Sequence, residues 1–102
     1  MNNFGFVILS PDHNIGRIKS TVTSILSKTP DIPIICVVQE NVLEKDFVEM
    51  QEICPTFKAG NTITSLLNKG LDKGHDSWNI FIVLLAHRVS LQCYAIDNKR
   101  QL

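Results

Sequence analysis

The chain has 102 residues, with Lys plus Arg equal to Asp plus Glu at ten each, 44% hydrophobic residues and 20% charged ones. That length holds one small domain with a real core, and the mix of apolar and charged residues excludes a disordered chain. Zero formal net charge lacks the basic footprint of a nucleic-acid binder, so no nucleic-acid partner is expected.

Phe4-Gly5-Phe6-Val7-Ile8-Leu9 is a short apolar run closed by Ser10-Pro11-Asp12, the pattern of a strand ending in a turn. Ile15, Ile18, Val22, Ile25 and Leu26 follow at helical spacing, with Asn14 as the expected cap and Thr29-Pro30-Asp31 as the stop. Ile32 to Val38 is almost continuously apolar, as expected of a strand buried on both faces. Gln39-Glu40-Asn41 marks its carboxyl end. Leu43, Phe47, Met50 and Ile53 form one face of a short helix over Leu43 to Ile53, stopped by Pro55. Thr56-Phe57-Lys58 reads as a very short third strand.

Gly60-Asn61-Thr62 opens the next helix, capped by Asn61 or Thr62, with Ile63, Leu66, Leu67 and Leu71 as its apolar stripe and Gly74 at its carboxyl end. Trp78 to Leu85 is the longest apolar run and is expected to be the central strand. In the last segment Val89, Leu91, Cys93 and Ala95 alternate with polar residues, which predicts a half-exposed, antiparallel edge strand. The alternation of strands and helices predicts an α/β three-layer sandwich with a mainly parallel sheet and right-handed crossovers.

Three cysteines, Cys36, Cys54 and Cys93, form no close pair along the chain, and their spacing suits no zinc motif. Cys36 lies in an apolar strand and is expected to be a buried, reduced thiol. Reduced thiols imply a cytoplasmic protein. Met1-Asn2-Asn3-Phe4 has no signal-peptide character, and the longest apolar run is too short to cross a bilayer.

In a parallel sheet, ligands bind beyond the carboxyl ends of the strands. The turns there gather Ser10 to Asn14, Gln39 to Asn41, Lys58 to Thr62, and His87-Arg88. No glycine-rich phosphate loop follows the first strand, and no nucleophile elbow is present. Asp12-His13 reads as an acid–base pair, as a metal-ligand pair or as a solvated turn. Arg88 is either a bidentate phosphate ligand or part of an edge salt bridge or an oligomer contact.

Two patterns resemble the nucleotide-binding half of the family 2-type glycosyltransferases, which have the Rossmann-like, nucleotide-diphospho-sugar transferase (A-type) fold. The first is Val7-Ile8-Leu9-Ser10-Pro11, Asn14, then Ser24-Ile25-Leu26. The second is Asn68-Lys69-Gly70-Leu71, Gly74, then Trp78 to Leu85, similar to the family's Asn-x-Gly helix running into the strand that carries a metal-binding Asp-x-Asp. The resemblance spans the chain but only about half of a family member. It implies that Pro11, Asp12, Asn14, Gln39, Glu40 and Asn61 face a nucleotide or nucleotide-sugar. Ala86-His87-Arg88 stand in the Asp-x-Asp register, so the hard oxygen ligands of a bridging cation are missing there. His87 and Arg88 are left to meet the phosphates without a metal.

The reading that follows is a truncated glycosyltransferase-like domain that binds a nucleotide or nucleotide-sugar without independent transferase activity. The alternative is a non-catalytic interaction or oligomerisation module that retains the fold, its last strand pairing with a second copy or a protein partner. A third is a small metal-independent transferase completed by oligomerisation.

Overall fold

The computed structural model describes residues 4–11, 15–78, 80–87 and 90–97, with the end of the fourth strand and all of the fifth described by backbone alone. The elements run β1 (Phe4–Leu9), α1 (Gly16–Lys28), β2 (Ile34–Gln39), α2 (Glu44–Ile53), β3 (Thr56–Ala59), α3 (Ile63–Ser77), β4 (Ile80–His87) and β5 (Ser90–Asp97). The sheet order is β3-β2-β1-β4-β5. β3, β2, β1 and β4 are parallel, and β5 returns antiparallel along β4, with His87 opposite Ser90. The predicted three-layer α/β architecture is therefore the observed one.

The layers follow from strand alternation, which sends successive side chains to opposite faces. Ile8, Ile34, Cys36, Val38 and Leu84 lie on one face and pack with Ile18 and Val22 of α1 and Met50 of α2. Val7, Leu9, Ile35, Val37, Phe81, Val83 and Leu85 lie on the other and pack with Leu66 of α3 and with Trp78. The near-continuous apolar runs of β2 and β4 are thus explained by helices covering both faces. Lys19 of α1 and Glu49 of α2 form an ion pair between neighbouring helices.

Several expectations change. β1, not the Trp78 run, occupies the middle of the sheet. The strand in that run starts at Ile80, because Trp78 caps α3, its N–H donating to the Gly74 carbonyl (2.9 Å). Ile15 is the residue flanking the first turn of α1 and supplies no side-chain cap; Asn14, the expected cap, lies outside the described residues. β2 begins at Ile34 rather than Ile32, and α2 at Glu44 with Leu43 as the flanking residue. The short strand at Thr56 is present, paired to β2 from Cys36↔Thr56 to Gln39↔Ala59. Thr62 is the cap of α3, its hydroxyl accepting from the Ser65 N–H.

Gly74 does not end α3, which continues to Ser77. Its role is close approach. A Cβ built on Gly74 would lie 2.4 Å from Cε2 of the fully buried Phe81, and one on Gly70 would lie 2.7 Å from a Leu9 methyl and 2.9 Å from a Val7 methyl. The two glycines, four residues apart, share one helix face, and that face presses α3 against β1 and β4. His75, in the last turn of α3, meets Phe81 edge-on at 5.4 Å between ring centres. Cys36 is buried and free, as expected; what the chain order did not show is that Cys54 is buried and free beside it, with the two sulfurs 3.2 Å apart.

Candidate functional site

The parallel strands bring their carboxyl ends to one edge in the order β3, β2, β1, β4. At about 4.8 Å per strand, that edge runs roughly 14 Å from β3 to β4. At its β2–β3 end lies an open groove of about 690 Å³, lined by Glu40, Lys58, Ala59, Gly60, Ser65, Asn68, Lys69 and Asp72. The strands place Glu40 just past β2, and Ala59 and Gly60 at the end of β3. The first half of α3 supplies Ser65, Asn68, Lys69 and Asp72 along its wall.

Local hydrogen bonds fix this corner. The Gln39 amide donates to the Asn61 carbonyl (3.2 Å), tying the end of β2 to the entry of α3. Thr62 caps α3 through Ser65, and its hydroxyl also donates to the Ser65 hydroxyl (3.1 Å). Lys58 Nζ donates to Glu44 (3.2 Å) and lies 4.7 Å from the centre of the Phe47 ring. Lys73, one turn beyond Lys69, stands 4.6 Å over the Phe57 ring. Lys69, by contrast, has no ion pair or ring contact among the described residues.

Of the residues singled out in sequence, Gln39, Glu40 and Asn61 come together at this corner. Pro11 is half-buried at the end of β1 and is not among the described residues that line the groove, and His87 is the last residue of β4, described by its backbone alone. Asp12, Asn14 and Arg88 lie outside the described residues. Ser10, at the end of β1, is buried; its N–H donates to the Val37 carbonyl (2.9 Å), and its hydroxyl has no partner among the described residues. Lys69, Ser65 and Asp72 were not singled out as ligand contacts. The signal that could have found them is helical: Ser65, Asn68, Lys69 and Asp72 recur at spacings of three and four, a polar stripe beside the apolar one.

Among the described residues, no three His, Cys, Asp or Glu side chains gather into a metal-binding group, and no helix is long and apolar enough to cross a membrane. The chemistry on offer is recognition: two ammonium groups, two carboxylates, a hydroxyl and an amide around an open cleft. Comparison with protein-family models, with curated proteins and with solved structures finds no match to this chain.

Proposed function

We propose that this domain binds a nucleotide or nucleotide-sugar in the groove at the carboxyl ends of β2 and β3, without transferring sugar by itself. The observation that carries the reading is the groove's place and lining: a cleft of about 690 Å³ at the carboxyl edge, with Glu40 at the end of β2 and Lys69 facing it from α3. Clefts of a few hundred to a thousand Å³ suit ligands of this size. In doubly wound sheets, an acid at the end of the second strand takes the ribose hydroxyls. Glu40 has that position and the acceptors. The ammonium of Lys69 supplies charge for a phosphate. The resemblance drawn from Asn68-Lys69-Gly70 and the first turn adds a nucleoside diphosphate as the ligand class, and Ala86-His87-Arg88 in place of two acids argues against metal-assisted transfer.

Thermal-shift titration with uridine and guanosine diphosphates and their sugar conjugates, with and without manganese, tests this. Saturable stabilisation that grows with ligand concentration is expected, and no stabilisation by any of them would sink the proposal. One observation favours the alternative of an interaction module. Among the described residues, β5 is an eight-residue strand paired to β4 alone, so its outer edge offers backbone groups to a second copy or a partner strand. Sedimentation of the isolated protein distinguishes the two: a defined dimer without nucleotide binding favours the module.

A further inference from the structure

Cys36 stands on the third position of β2, and Cys54 ends α2 just before β3. The backbone holds both in place. The Cys36 N–H donates to the Pro55 carbonyl (2.9 Å), and the Cys54 N–H donates to the Met50 carbonyl (3.0 Å). Register pairs Cys36 with Thr56, two residues past Cys54, so the sheet itself aligns the two thiols. Their sulfurs lie 3.2 Å apart with no side chain between them. We propose that Cys36 and Cys54 are a reversible dithiol–disulfide site oxidised by hydrogen peroxide, with Cys54 the sulfur oxidised first and Cys36 the one that closes the bond.

The order follows from access and hydrogen bonding. Cys36 is fully buried, whereas Cys54 keeps 8% of its surface, which makes it the more accessible of the two. A Cys36 S–H donated to the Cys54 sulfur stabilises thiolate at Cys54, so the Cys54 thiol is held below its ordinary range, with the Thr56 side chain acting the same way against the opposing effect of burial. The same bond, followed by burial and by the charge on Cys54, pushes the Cys36 thiol up. Thiolate is the nucleophile.

The Cys54 thiolate attacks one peroxide oxygen and the O–O bond breaks. Hydroxide leaves, takes up a proton and becomes water, and Cys54 becomes a sulfenic acid. Cys36 then attacks that sulfur, the S–O bond breaks, and a second water leaves with the Cys36 proton. Two thiols and one peroxide give one disulfide and two waters; the two sulfurs lose two electrons and the peroxide gains them. The bond would staple β2 to the entry of β3, about 10 Å below the groove at three residues of strand rise.

The wild-type protein, reduced and then treated with hydrogen peroxide, is digested under acid and mapped by mass spectrometry. The expected product is two hydrogens lighter, with the Cys36 and Cys54 peptides joined and Cys93 outside the cross-link. Its melting temperature should rise by about 10 °C and return on reduction. In the Cys36→Ser variant, a dimedone adduct is expected on Cys54 when peroxide is removed and dimedone is added with urea; in Cys54→Ser, none is expected on Cys36 under the same treatment. Thiols that stay reduced in the folded protein while the urea-unfolded chain oxidises would overturn the proposal. So would a cross-link through Cys93, first oxidation at Cys36, or a disulfide that lowers the melting temperature.

Discussion

The lysines on the β3 side of the molecule differ in what holds them. Lys58 is engaged by Glu44 and the Phe47 ring, and Lys73 by the Phe57 ring. Lys69 lines the groove without such a contact among the described residues. A charge-assisted contact to phosphate contributes about 1.5–3 kcal/mol, so Lys69→Ala should weaken nucleotide binding about tenfold or more by titration calorimetry. The same change should leave stability within about 0.5 kcal/mol, as for other surface substitutions. Thr62→Ala should show the opposite pattern of a cap lost from α3: about 1 kcal/mol less stable in urea. Thr62 was legible because Asn-Thr stands directly before a helical stripe. The Cys36–Cys54 contact was not, since nothing in eighteen residues of separation shows that β3 will return beside β2 in that register.

At the scale of elements, α3 explains most about what sequence pattern can carry. Its apolar stripe was legible and its end was not, because a glycine near a helix terminus reads as a stop. Gly74 is instead a contact point, as is Gly70 one turn before it. Gly70 belongs to the Asn68-Lys69-Gly70 pattern behind the glycosyltransferase resemblance, so packing against Val7 and Leu9 is sufficient reason for a glycine there. In an exposed helix, Gly→Ala gains about 1 kcal/mol. Gly74→Ala should instead lose roughly 1–2 kcal/mol, because the cost of overpacking against the buried Phe81 ring outweighs that gain. Urea unfolding checks the sign; a more stable Gly74→Ala protein would mean that α3 does not lie this close to β4.

For the whole molecule, chain order gives the architecture. Each apolar run became a strand, the helices alternate with them, and only the position of β1 at the centre needed the sheet itself, since strand order is a long-range property. The edge where polar turns converge was legible on the same grounds. Which part of that edge forms a cleft was not, because it depends on how closely α3 approaches β2 and β3. Of the other turns favoured in sequence, Asp12, His13, Asn14 and Arg88 lie outside the described residues, and the described groove is the one that Glu40 and Lys69 line. If the outer edge of β5 pairs with a second copy, sedimentation should give a dimer whose population falls on dilution, and a proline at Leu91 or Ala95, whose N–H groups face away from β4 in this register, should reduce it by removing one backbone donor.

The measurement closest to the central claim is calorimetric titration of uridine and guanosine diphosphates into the wild-type and Lys69→Ala proteins. Saturable binding that is at least tenfold weaker in Lys69→Ala is the predicted result. No binding of either nucleotide, or binding that Lys69→Ala leaves unchanged, would contradict a nucleotide site at the β2–β3 edge.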